Sequence, residues 1–260
     1  MLEHNFKKKF GQNFLQDKNI IKKIASVAET TKDDLIIEIG PGAGALTEEL
    51  VEKSQVLAYE IDTDLEETLK DKFKDKNVTF IFDDFLNRNI KEDLKQFKYN
   101  NLYVIANLPY YITTPIINKI IDEKIDVNKL VLMVQKEVGE RFSASTGSKD
   151  YSSITVFLNY YFNIKKEFIV SKNVFYPRPN VDSIIISFTK KENNIKVYNE
   201  ELFFKLIRDS FVQKRKTLKN NLKEYDFSKV EEVLSNHNIP LDVRAENIPL
   251  EVFAEISNNL

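Results

Sequence analysis

The chain has 260 residues, 42% hydrophobic and 30% charged, with only 6 Gly and 7 Pro; this excludes disordered and fibrous classes and leaves room for one large α/β domain or a main domain with a small appendage. It has no Cys, which rules out a disulfide scaffold and a thiolate metal centre, and nothing in the sequence indicates a metal site. No run of about 18 apolar residues and no apolar signal-peptide core is present, so a cytoplasmic protein that does not cross a membrane is expected.

The net charge of −2 and pI near 5.9 argue, taken alone, against a nucleic-acid partner. Distribution matters more than the sum: Lys7-Lys8-Lys9 and Lys214-Arg215-Lys216 with Lys219 and Lys223 are local basic clusters, although such runs are most often solvated helix faces.

The N-terminal stretch from Phe6 to Leu15 is basic, then amide-rich; Gly11 interrupts its fourfold Phe spacing and argues for a folded-over arm. Asp17 caps a helix to about Ala28, since Ile20, Ile21, Ile24 and Val27 share one face. Leu35 to Ile39 reads as a strand entering Gly40-Pro41-Gly42-Ala43-Gly44, with a helix opening near Leu46. Glycines there let the backbone approach a ligand and let the helix pack on the sheet. A second strand, Val56 to Tyr59, ends in Glu60 about 20 residues past the first Gly, where an acid can accept both hydroxyls of a ribose. The flanking strands and spaced acid together point to a nucleoside-containing cofactor.

A third strand, Val78 to Phe82, ends in Asp83-Asp84-Phe85. An acid there can accept a hydrogen bond from an adenine amino group while Ile61 and Phe85 pack on its faces; Asp83 is read instead as the cap of the next turn. The fourth strand, Leu102 to Ala106, runs into Asn107-Leu108-Pro109-Tyr110, a rigid mouth at a strand's carboxyl end. There Asn107 can accept from an exocyclic amine while Tyr110 stacks on the base that carries it. The plainer alternative is a turn in which Asn107 caps and Tyr110 packs. A helix from Thr113 or Thr114 carries Ile116, Ile117, Ile120 and Ile121, and Leu130 to Val134 is a fifth strand. Strands alternating with helical patterns imply a doubly wound, mostly parallel sheet.

Ser143 to Lys149 is a polar loop and the clearest candidate for a mobile segment. Ser152 to Phe162 is apolar and aromatic; periodicity alone does not separate helix from strand, and helix is the expectation. Phe168 to Val170 and Ile184 to Phe188 read as strands flanking Phe175-Tyr176-Pro177-Arg178-Pro179, a stiff loop able to hold a ring in place. From about Lys191 the pattern is helical: Glu200 to Lys223, Ser228 to Ser235 and Leu250 to Ile256. The expected division is a domain over residues 1–190, including a basic arm, and a helical domain over 191–260.

Taken together, these segments resemble the KsgA (RsmA) family of small-subunit rRNA adenine dimethyltransferases over essentially the full length. The resemblance rests on Phe10 to Leu15, Glu38 to Gly42, Glu60, Asp84, Asn107 to Tyr110, Gln135-Lys136-Glu137, Phe175 to Ser183, Arg215-Lys216-Thr217 and Arg244 to Ile248. The earlier motifs are shared with Erm 23S rRNA methyltransferases and mitochondrial transcription factor B; the last two tilt the reading to KsgA.

The resemblance implies an α/β, Rossmann-like class I methyltransferase sheet with a small all-helical C-terminal domain that binds rRNA. Asn13, Leu15, Gly40, Glu60, Asp84 and Asn107 would contact S-adenosyl-L-methionine, with Gly42, Ile61 and Phe85 beside them. Asn107, Leu108, Pro109, Tyr110 and Phe175 would form the catalytic set, Tyr110 and Phe175 sandwiching the target adenine. The implied activity places four methyls on the N6 atoms of two adjacent adenosines in a hairpin loop near the 3′ end of small-subunit (16S) rRNA, in an assembly intermediate, by a monomeric enzyme. An Erm-type 23S rRNA methyltransferase is the nearest rival. A nicotinamide oxidoreductase would explain the Gly turn and Glu60 but gives no task to Asn107, Tyr110 or Phe175. A non-catalytic assembly or transcription factor would not need them intact.

Overall fold

The computed structural model describes residues 14–107, 112–192 and 195–260. Five strands, β2 (Leu35–Ile39), β3 (Gln55–Tyr59), β4 (Val78–Ile81), β5 (Leu102–Asn107) and β6 (Lys129–Gln135), pair in parallel in the order β4-β3-β2-β5-β6. Their near-continuous Val, Ile and Leu content is what a sheet covered on both faces requires. The sheet continues through β9 (Ser183–Lys190), antiparallel to β6, to β7 (Phe162–Val170) at the edge. Chain order runs outward from β2 to β4 and then restarts on the other side at β5, which makes the β2/β5 junction the topological switch point. This is the expected Rossmann-like α/β sheet.

A second, two-residue ladder joins β1 (Phe14–Leu15) to β8 (Phe175–Tyr176), with Leu15 opposite Phe175. Neither element is legible from periodicity at that length. Gln16 N–H donates to the Val174 carbonyl at 3.0 Å and extends the join.

The helices follow local rules. Asp17 caps α1 (Lys18–Val27) by accepting from the Asn19 and Ile20 amides at 2.9 and 3.2 Å. Helix α2 (Ala45–Val51) opens at Gly44, whose φ is +78°; a Cβ there would lie 2.6 Å from the Phe73 ring, so this glycine serves the packing of α2. Helices α3 (Glu66–Lys72), α4 (Ile90–Leu94) and α5 (Thr113–Asp122) complete the crossovers. Helix α6 (Lys136–Phe142) follows directly on β6, with Gly139 at its centre. A Cβ on Gly139 would fall 2.3 Å from Ile184 and 2.7 Å from Ile186, so the glycine lets α6 lie close on β9.

The chain forms two compact units. The first runs to Gly139 and resumes over Lys165–Thr189; the second comprises Glu140–Ile164 and Lys190–Leu260. The second unit thus takes in residues 140–164 as well as the helical C-terminal segment. The reason is apolar: Tyr151, Val156 and Tyr160 share a buried core with Phe203, Leu206, Leu234 and Phe253. Helix α7 (Ser153–Tyr161) carries most of that face, so Ser152 to Phe162 is helical up to Tyr161. The Tyr160 hydroxyl donates to Glu200 Oε1 at 2.9 Å, and the Tyr151 hydroxyl to the Ile248 carbonyl at 3.2 Å. The polar loop 143–149 is tied as well, with Gly147 N–H donating to the Glu246 carbonyl at 2.7 Å.

The second unit otherwise consists of α8 (Glu200–Ser210), α9 (Leu218–Asn221), α10 (Phe227–Asn236) and α11 (Leu250–Asn259). The single helix expected over Glu200 to Lys223 is broken. Asn221 Nδ2 donates to the Ser210 carbonyl at 2.7 Å and Asn221 Oδ1 accepts from Gln213 N–H at 3.1 Å, which satisfies the end of α8. Thr217 then caps α9, leaving Lys214, Arg215 and Lys216 exposed in the turn between them.

Candidate functional site

Parallel register assembles the candidate residues. Ile39 is opposite Tyr59 on one side and Ala106 on the other, and Tyr59 is opposite Ile81. The next residues along each strand, Gly40, Glu60 and Asn107, and the Asp83-Asp84 pair just past β4, consequently share the carboxyl edge of four adjacent strands. Gly40 and Asn107 flank the switch point, where open α/β sheets bind ligands. Asn107 is the last residue of β5, half-buried and opposite Met133. Asn13, Leu108, Pro109 and Tyr110 lie outside the described residues, as does the Lys7 to Lys9 cluster.

The Gly turn is closed onto Glu60. Gly40 and Gly42 have φ of +72° and +56°, and Gly42 N–H donates to Glu60 Oε2 at 2.9 Å while Asp62 N–H donates to Oε1 at 2.9 Å. Glu60 is buried, and burial pushes its carboxyl above the ordinary range despite these amides. Each oxygen retains a lone pair that a ribose hydroxyl can use, but only where the turn admits a ligand to this buried group. As it stands, Glu60 shapes the turn.

Ile61 is the exposed apolar side chain at this edge, at 45%, whereas Phe85 is buried at 3%. The Phe85 ring meets Tyr59 edge-on, with centroids 5.2 Å apart, so of the two side chains expected to face an adenine, Ile61 alone is presented. Asp84, not Asp83, caps the turn over Phe85–Asn87, accepting from Leu86 N–H through Oδ1 at 2.9 Å. That corrects the reading of Asp83 as the cap. Asp84 is half-buried, and its Oδ2 has no hydrogen bond among the described residues, which leaves an acceptor at the strand end. Asp83 instead faces Arg88, with Oδ2 3.5 Å from Nη1.

Leu15 and Phe175 are both buried in the core of the first unit. The Phe175 ring is thus held by packing, and a base can reach it only by displacing what covers it. Tyr176, its neighbour along β8, is 55% exposed.

Two features were given no role by sequence reasoning. Glu38 is fully buried in β2, and among the described residues neither its Oε2 nor Thr47 Oγ1 has a hydrogen-bond partner. Burial pushes the Glu38 carboxyl up to about 8, and the Glu60 charge adds to this. The signal was available: a lone acid inside the apolar run Leu35-Ile36-Ile37-Glu38-Ile39. The second feature is a network below the edge. The Tyr59 hydroxyl donates to Asp93 Oδ2 at 3.1 Å, and Arg88 grips the same carboxylate through Nε at 3.1 Å and Nη2 at 2.5 Å. Burial, followed by the Asp93 charge, raises the Tyr59 hydroxyl above its ordinary range.

The edge therefore combines backbone able to approach a ligand closely, an acceptor on Asp84, an exposed Ile61, and an amide at Asn107. That donor set suits a purine nucleoside cofactor. It contains no grouping of three or more acidic or His side chains placed to hold a metal among the described residues.

Residues 3–260 match the family model described as ribosomal RNA adenine dimethylase. A Ribosomal RNA small subunit methyltransferase A from Streptococcus gordonii is 45% identical over 267 residues, which covers 98% of this chain and 92% of the relative. The crystal structure of a dimethyladenosine transferase from Plasmodium falciparum superposes with a TM-score of 0.79 at 26% identity, covering 94% of this chain and 95% of that one. The 23S rRNA methyltransferase ErmE superposes with a TM-score of 0.77 at 24% identity, covering 95% of this chain and 99% of that one, a likeness of fold.

Proposed function

Because the chain belongs to the ribosomal RNA adenine dimethylase family, we propose that it transfers methyl groups from S-adenosyl-L-methionine to N6 of two adjacent adenosines in the 3′-terminal hairpin loop of small-subunit (16S) rRNA. The observation that carries this reading is the alignment of Gly40, Glu60, Asp84 and Asn107 on one sheet edge in a chain 45% identical to a small-subunit methyltransferase. The enzyme acts in the cytoplasm, as a monomer, on an assembly intermediate of the small subunit. No helix among the described residues is long and apolar enough to cross a membrane.

S-adenosylmethionine supplies an electrophilic sulfonium methyl. On the protein side, the Gly40 to Gly44 turn, Ile61 and Asp84 would hold the nucleoside, with Asn13, Leu15, Glu60 and Phe85 completing or backing that pocket. Asn107 and the residues after it hold the base to be modified. An adenine amine is a poor nucleophile because its lone pair is delocalised, yet its proton need not leave before attack. The Asn107 side-chain oxygen and the Leu108 carbonyl would accept its two N–H groups and favour a pyramidal nitrogen aimed at the methyl; the surplus proton would pass to water after transfer, so position rather than a general base would do the chemistry. Pro109 would stiffen the strand exit, and Tyr110 would clasp the base with Phe175 once what covers that ring is displaced. After one methylation a single N–H remains, and the second round needs room for a methyl beside Asn107.

The second unit holds the RNA. Lys214, Arg215 and Lys216 are exposed in the turn before α9, and a cleft of about 570 Å³ beside it is lined by Lys219, Lys223, Tyr225 and Phe227. Cations beside aromatic rings suit phosphates and unstacked bases.

The test is methyl transfer from tritiated S-adenosylmethionine to unmodified small subunits, with the modified positions mapped by primer extension. Stops at two adjacent adenosines of the 3′-terminal hairpin are expected. Label confined to large-subunit rRNA would favour the Erm-type reading, and no transfer would overturn both.

A further inference from the structure

We propose that Arg88 is a positioning residue for cofactor recognition, a clamp that fixes the loop carrying Asp84 and Phe85 against the end of β3. The inference rests on the reading of this sheet edge as the S-adenosylmethionine site.

The geometry starts at Asp93. Its side chain is only 8% exposed, and it accepts three hydrogen bonds: Arg88 Nη2 on Oδ1 at 2.5 Å, and both Arg88 Nε and the Tyr59 hydroxyl on Oδ2 at 3.1 Å. Tyr59 immediately precedes Glu60, so this carboxylate ties the end of β3 to the segment that follows β4. The remaining guanidinium nitrogen, Nη1, faces Asp83 Oδ2 at 3.5 Å. Arg88 thus reaches both flanks of the 83–88 loop: Asp83 before Asp84, and Asp93 in α4 beyond it. The Phe85 ring lies between, edge-on to Tyr59. Among the described residues, the only hydrogen bond made by the Asp84 side chain is the one from Leu86 N–H, within the same turn. Its aim therefore depends on how that turn is held.

A planar fork is needed for this. A guanidinium can engage Asp93 through two nitrogens and still present a third to Asp83, which a lysine ammonium on a flexible stem cannot reproduce. Removing Arg88 takes two of three donors from a nearly buried carboxylate and frees the loop from both flanks. The expected consequence is a misplaced Asp84 acceptor, hence weaker reading of the adenine amino group, while Asn107 and the base pocket are untouched.

The experiment compares S-adenosylhomocysteine with its 6-deaminated (inosine) analogue by calorimetry on the full-length wild type, Arg88→Ala and Arg88→Lys, with melting curves to establish folding. The wild type should prefer the adenine ligand by roughly tenfold or more, the worth of a hydrogen bond to a charged acceptor. Arg88→Ala should bind both ligands about equally, and Arg88→Lys should recover part of the preference. In steady state, KM for S-adenosylmethionine should rise about as much as the adenine preference falls, with kcat within about twofold of wild type. A general loosening of the fold would weaken both ligands alike and leave their ratio alone. An unchanged ratio in a folded Arg88→Ala or Arg88→Lys protein overturns the clamp. Failure of the wild type to bind S-adenosylhomocysteine at all overturns the underlying site reading, and the clamp with it.

Discussion

Leu15 and Phe175 face each other across a ladder two residues long, and both side chains are buried in one core. The ring expected to meet the target adenine is therefore also a packing element, and its two roles can be separated. Phe175→Ala should cost about 3–5 kcal/mol of stability, whereas Phe175→Leu, which keeps much of the side-chain volume, should cost clearly less. If the ring stacks on the base, the Leu variant should still lose roughly tenfold to a hundredfold in kcat/KM, since stacking is worth about 1–3 kcal/mol. Thermal melts with turnover on small subunits give both readouts; a stable Leu variant with wild-type turnover would remove the ring from the mechanism.

Asn107 ends β5 at the switch point and brings a side-chain amide oxygen to the carboxyl edge of the sheet. Asn107→Ala should lower kcat by at least about a hundredfold, the scale of losing a preorganised polar partner, while cofactor binding stays measurable by calorimetry. Near-normal methyl transfer would refute the role.

Glu38 makes stability depend on pH with a definite sign. Its carboxyl titrates near an ordinary 4.5 in the unfolded chain and at about 8 in the folded protein. Below 4.5 both states hold the proton and the group contributes nothing. Above it the unfolded chain releases a proton that the fold retains, so stability falls as pH rises to about 8 and then levels. The displacement corresponds to at most about 5 kcal/mol. Glu38→Gln should flatten this slope, matching wild type near pH 4.5 and exceeding it at pH 8 to 9 in denaturant titrations. Parallel slopes for the two proteins would show that Glu38 does not titrate in this way.

The exposed turn at Lys214, Arg215 and Lys216 should contribute to RNA affinity electrostatically. Replacing all three with Ala should lower the steepness of log K against log salt by about 2 to 3, at about 0.7 to 0.9 per phosphate contact. Fluorescence anisotropy with the rRNA hairpin at several salt concentrations measures it. An unchanged slope would place the phosphate contacts elsewhere.

Most of the first unit was readable because its strands are short apolar runs ending in Gly, Glu, Asp or Asn. Parallel pairing then brings those ends to one edge without further information. What escaped depends on contacts distant in sequence. Residues 140–164 look like a continuation of the first domain until the core they share with Phe203 and Phe253 is seen. The break after Ser210 needs Asn221 to fold back, and no local pattern announces that. Phe85 and Glu60 occupy the expected ends of their strands, but the sequence could not reveal that they lie beneath the surface. Arg88 went unread because its partners, Asp83 and Asp93, sit five residues away on either side in a stretch of unremarkable charge.

The interleaving of the two units, with the chain crossing between them after 139, 164 and 189, bears on how the protein is made. Residues 140–164 leave the ribosome before any of the helices that will cover Tyr151, Val156 and Tyr160, so these side chains wait uncovered until α8 to α11 have been synthesised. The Rossmann-like sheet likewise lacks β9 until that helix has been passed. A nascent chain halted near residue 190 would carry a complete sheet and a bare aromatic helix, a species suited to capture by chaperones or to aggregation, and cutting at the apparent linker is therefore the wrong place to divide the molecule.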